Sequence, residues 1–276
     1  MNIYKIIVCT YIFLQNHISC FINIPVKKNE ICAIMDNKQS SLFIDDKKLI
    51  TISPGGFKGF YLLGILTYIK ETYNTDNLIY SGASAGAWNG LFMCYKGDSL
   101  SFVYNLLGSD IKKAKSINEI EYFMKYKLLS SYKNEDFDFS RLFIGVTTFQ
   151  GFTPSINIFS DFETLEDAIN CCIASSHIPL LTGGLTNKYQ NVNSFDGGFS
   201  KYPYVNKKPI LHVSPSMWEE TDITTKNAIE LSFSYIQKYY QIFSLYKTSF
   251  IELYDDGYHD AKKNKKILDS TFLECI

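Results

Sequence analysis

Two strand–glycine–helix units stand close together early in the chain, and they restrict its fold more than any other feature. In the first, Leu49-Ile50-Thr51-Ile52-Ser53 is a β-prone run broken by Pro54-Gly55-Gly56. Apolar residues at Phe60, Leu63, Leu66 and Ile69 then predict a helix from Gly59 to about Tyr73. In the second, Leu78-Ile79-Tyr80-Ser81 runs into Gly82-Ala83-Ser84-Ala85-Gly86, and Ala87 to Lys96 reads as a helix. Consecutive units of this kind place their strands in one parallel sheet and their turns at one edge of it, so the class is α/β.

The second turn carries chemistry. Gly-x-Ser-x-Gly between a strand and a helix is a nucleophile elbow, in which a sharp turn presents the serine hydroxyl, here Ser84 Oγ, at the strand tip. Gly82 and Gly86 relieve the crowding that such a turn creates. The first turn lies only 28 positions earlier, from Gly56 to Ser84, so both reach the same edge. Its glycines leave N–H groups at the positive end of a helix dipole, where an anion can be held, although such turns also bind phosphates or permit tight packing.

A serine hydroxyl is a poor nucleophile and needs a base. Two arrangements supply one. In an α/β-hydrolase order Asp196 would be followed by a histidine, either His212 or His259. In the other, a carboxylate alone takes the proton, and Phe195-Asp196-Gly197-Gly198 offers an aspartate on a tight glycine turn.

Taken together, Ser53-Pro54-Gly55-Gly56-Phe57-Lys58-Gly59, Gly82-Ala83-Ser84-Ala85-Gly86 and Asp196-Gly197-Gly198 resemble the three-part signature of patatin-like phospholipases, in order and spacing. Ala174-Ser175-Ser176-His177-Ile178-Pro179, His212-Val213-Ser214-Pro215 and Gly257-Tyr258-His259-Asp260-Ala261 extend the likeness, which is closest to the adipose triglyceride lipase and adiponutrin branch. The resemblance covers residues 48 to 262. It implies a central mostly parallel sheet flanked by helices, and a catalytic dyad of Ser84 and Asp196. It implies an oxyanion hole from the amides of Gly55, Gly56 and Phe57, supported by Lys58, Gly59, Gly82, Gly86, Gly197 and Gly198. The family commonly has a third glycine where this chain has Pro54, and proline cannot donate an N–H.

The resemblance further implies hydrolysis of glycerolipid esters at a membrane or lipid-droplet surface, with no metal or organic cofactor. Acyl transfer to an alcohol uses the same acyl-enzyme, and a non-catalytic lipid-binding protein that keeps the fold is the other class. Headgroup contacts cannot be read from spacing, so the lipid is left open, as are any protein partners.

Composition adds exclusions. Lys plus Arg at 27 against Asp plus Glu at 28 leaves a net charge of −1, too balanced to recruit nucleic acid or an anionic membrane globally. Seven cysteines show no Cys-x-x-Cys and no paired histidine spacing, so neither zinc nor a disulfide framework is indicated.

Residues 1–20 have the order of a signal peptide: Lys5, the apolar run Ile6 to Leu14, then Ile18-Ser19-Cys20. Secretory or organellar targeting follows from that reading. Residues 21–46 read as a polar linker and 47–276 as one acyl hydrolase domain with a helical C-terminal part. Within it, apolar positions from Ala228 to Phe250 have near-helical spacing, either core or a lipid-facing helix.

Overall fold

The computed structural model describes residues 44–108, 111–150, 153–185, 187–200, 202–218 and 249–273. The leader, nearly all of the linker and most of the 228–250 stretch lie outside the described residues. Packing begins a little before the expected domain start, since Ile44 is buried against Leu49, Ile79, Phe143 and Val205.

The two units form as the pattern predicts. Strand β1 is Lys48–Ile52, and a short 3-10 turn at Gly56–Lys58 leads into helix α1, Gly59–Thr72. Strand β2 is Leu78–Gly82, followed by helix α2, Ala85–Cys94, which starts two residues earlier than its apolar run suggests. Helices α3, Ser99–Leu106, and α4, Ile117–Ser131, precede the long strand β3, Leu142–Gln150. Strand β4, Thr153–Phe159, returns alongside β3 and helix α5, Leu165–Ser175, follows. The remaining elements are β5, Asn187–Tyr189; β6, Val192–Phe195; β7, Leu211–Val213; α6, Phe250–Lys263; and α7, Lys265–Phe272. Side chains of Asp98, Ser116, Thr164 and Ser249 cap α3, α4, α5 and α6 by accepting from first-turn amides.

Strands β7, β1, β2 and β3 run parallel, and β4 and β6 pair antiparallel with β3, with β5 beyond β6. The expected mostly parallel sheet is thus present, with an antiparallel extension at one side. All five residues of β2 are buried, as befits a strand covered on both faces. Alternation divides the strands between those faces: Ile50, Ile52, Tyr80, Leu142 and Ile144 enter the larger core, Leu49, Ile79 and Phe143 the smaller.

Register explains how the site is assembled. Ile144 pairs with Gly82 of β2 and also with Phe159 of β4, so β2 and β4 occupy opposite edges of β3. Thr147 pairs with Ile156 of β4 and with Phe195 of β6, which puts β6 on the same edge as β2. β2 is parallel to β3 and β6 antiparallel. The two strands therefore run toward each other along one edge, and their C-terminal ends converge.

Arg141, the lone arginine, secures the start of β2 by donating to the carbonyls of Leu78 and Thr75 and to the Tyr80 hydroxyl. Lys70 does similar work for α2: its ammonium donates to the carbonyls of Phe92 and Met93, at 3.0 and 3.2 Å, and of Tyr95. Carbonyls at a helix end lack the usual i+4 donor, and that of Phe92 also accepts the Tyr95 amide at 3.1 Å. Burial lowers the Lys70 pKa to about 8.

Helices α1 and α6 cross in direct backbone contact. A Cβ on Gly64 would lie 2.0 Å from the Tyr254 carbonyl oxygen, and one on Gly257 would lie 1.9 Å from that of Tyr61. Tyr61 Oη donates to Asp260 Oδ2 at 2.6 Å across the same interface. The Gly257-to-Ala261 block is thus a packing surface for α1. Since the obstacles are main-chain atoms, Gly64→Ala should lower stability by about 1–3 kcal/mol or more. Urea unfolding monitored by circular dichroism measures this, and an unchanged midpoint would contradict the close crossing.

Candidate active site

Ser84 follows β2 with φ 53° and ψ −126°, in the left-handed half of backbone space that disfavours residues with a Cβ. The surroundings hold it there. The Ser84 amide donates to Ser175 Oγ at 2.8 Å, and Ser175 Oγ donates in turn to the Gly145 carbonyl at 2.6 Å. The elbow's glycines answer to distance: a Cβ on Gly82 would lie 2.1 Å from the Gly86 carbonyl oxygen, and one on Gly86 would lie 2.1 Å from that of Ile52.

Asp196 arrives at the end of β6. Its Oδ2 accepts the Ser84 hydroxyl at 2.6 Å and its Oδ1 accepts the Gly198 amide at 2.6 Å. Its own amide donates to the His177 carbonyl at 2.8 Å. Gly197 is required because a Cβ there would lie 2.3 Å from the Gly145 carbonyl oxygen. Gly198 sits between Asp196 and Pro54, whose Cβ would be 3.1 Å from an added methyl. Burial pushes the Asp196 carboxyl up to about 6, while the bonds from Ser84 and Gly198 pull the other way.

Gly56 has φ 53° and shares a cleft with Ser84 and Asp196. Among the described residues the amides of Gly55 and Gly56 have no protein acceptor, whereas the Ser84 amide is taken by Ser175. Phe57 and Gly59 line the same cleft. The Phe57 ring is buried against Phe250, 5.4 Å between centroids, and Gly59 packs where a Cβ would be 2.8 Å from that of Ala85. Lys58 is exposed and does not line the cleft.

No described histidine side chain bonds to the pair. His212 bonds Thr51 Oγ1 at 2.8 Å, and His259 is exposed on α6. His177 is buried and meets Asp196 through its backbone carbonyl; its neighbours Ser176 and Ile178 line the cleft while its ring does not. The cleft itself, about 830 Å³ counted to its open mouth, is walled by apolar side chains including Phe60, Leu63, Leu91, Phe102, Met124 and Leu128. An apolar wall around a few convergent polar groups is the character of a small-molecule site. Among the described residues no group of three or more His, Cys, Asp or Glu is arranged to hold a metal.

Three contributors escaped the sequence reading. Ser175 lies within a recognised block, but only the fold shows that its hydroxyl holds the elbow. Trp88 donates from Nε1 to Ser176 Oγ at 3.0 Å and walls the cleft. Glu121 enters the same cleft from α4, with nothing in its local sequence to mark it.

The raised carboxyl makes a signed prediction about stability. Asp196 titrates near 3.8 when unfolded and about 6 when folded, so its contribution to folding is full below pH 3.8 and is lost as pH rises through 6. Asp196→Asn removes the buried charge. Its stability relative to the native chain should grow by on the order of 3 kcal/mol between about pH 4 and about pH 7. Urea midpoints at both ends test this; a constant difference would mean that the carboxyl is not raised.

A family model described as patatin-like phospholipase matches residues 50–205. The chain is also 25% identical over 183 residues to human 1-acylglycerol-3-phosphate O-acyltransferase PNPLA3, a match covering 62% of this chain and 38% of that protein. The chain thus spans well under half the length of that relative. With the family model covering more than half of the sequence, and all three of its signature turns meeting at one cleft, this chain belongs to the patatin-like phospholipase family.

Proposed function

We propose that the protein is a serine acyl hydrolase that cleaves carboxylic esters of glycerolipids through a dyad of Ser84 and Asp196. The observation that carries this reading is the 2.6 Å hydrogen bond from Ser84 Oγ to Asp196 Oδ2, in a cleft that no described histidine side chain lines. A carboxyl raised to about 6 is ionised at neutral pH yet basic enough to take a proton.

Asp196 accepts the Ser84 proton as Oγ attacks the ester carbonyl. The oxyanion forms against the Gly55 and Gly56 amides, which have no competing acceptor in the described chain. Collapse of the tetrahedral adduct expels the alcohol, which takes the proton from Asp196 and leaves Ser84 acylated. Water then attacks the acyl-enzyme with Asp196 again as base, and the fatty acid departs with Ser84 restored. The apolar cleft takes the acyl chain, and the ester is drawn from a membrane or lipid-droplet surface. None of the described helices is long and apolar enough to cross a membrane. A lipid alcohol in place of water would give acyl transfer, the activity in the name of the human relative.

A fluorophosphonate probe should label the native chain rapidly and Ser84→Ala not at all. Asp196→Asn should be as inactive as Ser84→Ala on a dispersed short-chain ester, and their double mutant little worse. His212→Ala and His259→Ala should keep substantial activity; a folded histidine variant as inactive as Ser84→Ala would refute the dyad.

Gly56→Ala tests the oxyanion turn separately, because the methyl must be accommodated at φ 53°. It should cut kcat by about 10²–10³ with little change in KM. Near-native turnover by the folded variant would move the donors elsewhere.

A further inference from the structure

The cleft contains a second carboxyl that the proposed chemistry does not use. Glu121 projects from α4 among Ile117, Ile120, Met124 and Leu128, the apolar residues through which that helix lines the cleft. The spacing of these positions is helical, so Glu121 lies on the stripe that faces inward. It is only 7% exposed. Among the described residues its carboxyl has no hydrogen-bond or ion-pair partner.

Its natural partner is occupied elsewhere. Lys125, four residues along the same helix, instead pairs with Glu166 at 2.9 Å and donates to Asn170 Oδ1 at 2.8 Å. Burial, with the nearby Asp196 carboxylate adding to it, pushes the Glu121 carboxyl well above the ordinary carboxylate range. Of the two carboxyls in the cleft, Asp196 accepts hydrogen bonds from Ser84 and Gly198, whereas burial favours the neutral form of Glu121. A neutral carboxyl offers one O–H donor and remaining acceptor capacity.

A substrate made only of methylenes around its ester would cover this group and leave it unsatisfied, a loss worth roughly 10- to 100-fold in affinity. A substrate bearing a hydroxyl at the right place would restore the bond. We propose that Glu121 is a specificity-determining residue whose carboxyl hydrogen-bonds a hydroxyl group of the ester held in the cleft. Glu121 and Asp196 line the same cleft, so that hydroxyl belongs to the bound ester itself. That hydroxyl comes either from the acyl chain, as in a hydroxy-fatty acyl ester, or from the alcohol, as in a partial acylglycerol. The inference rests on the cleft being the acyl-ester site.

The test compares ethyl decanoate, ethyl 3-hydroxydecanoate and monodecanoylglycerol with the native chain, Glu121→Leu and Glu121→Gln. Native kcat/KM should favour at least one hydroxylated ester by about 10-fold or more. Glu121→Leu should abolish the preference, and Glu121→Gln, which still donates and accepts, should keep most of it. The hydroxy-acyl ester assigns the bond to the acyl side, the monoacylglycerol to the alcohol side. Binding of the same esters to Ser84→Ala, with and without Glu121→Leu, is measured by calorimetry and needs no turnover. Selective binding without turnover in the native chain would sink the hydrolase reading and leave Glu121 standing. Circular dichroism verifies folding, and Glu121→Met replaces the leucine variant should that one fail to fold. No preference in the native chain, or a preference that survives the apolar variants, overturns the proposal.

Discussion

The Ser84–Asp196 hydrogen bond depends on a constraint set by the sheet: β2 and β6 share one edge of β3 and run toward each other. A nucleophile and a base that lie 112 residues apart in sequence thereby meet head to head without a long side chain to bridge them. Short side chains have few rotamers, so the geometry is fixed mainly by backbone. That backbone must then come very close, and the glycines at 82, 86 and 197 are where main-chain atoms leave no room for a methyl. Ser175 completes the arrangement by tying the elbow to Gly145 on β3, the strand that both arms share.

Burial supplies the chemistry that the geometry permits. An aspartate left in water is a weak base, and the enclosed setting of Asp196 raises its proton affinity toward neutrality. The two hydrogen bonds it accepts limit that rise, so the group can still ionise. Glu121 lines the same cleft without such bonds, and burial raises its carboxyl as well.

Much of this was legible in the sequence because its signals are local. The paired β-prone runs and glycine turns announce two strand–turn–helix units, and Gly-x-Ser-x-Gly between a strand and a helix locates Ser84. Asp196 was readable from its glycine turn and the family likeness, but its place beside Ser84 follows from the register of β6 on β3, which no local pattern encodes. The choice between a lone aspartate and a histidine-assisted base was open for the same reason: His212 sits on β7 next to Thr51, a tertiary fact. Glu121 was invisible because a glutamate on a helix with charged neighbours reads as solvated, and only the packing of α4 turns it inward. The α2 start was misplaced by two residues since the small residues Ala85 and Gly86 carry no apolar signal, yet they already belong to the helix.

Pro54 stands where relatives commonly place a glycine, and its ring packs toward Gly198 beside Asp196. One side of the contact belongs to the turn before α1 and the other to the turn after β6. Proline fixes its own φ and offers no amide, so the turn before α1 meets the Asp196 turn with one backbone torsion already set and one donor fewer than a glycine there would give.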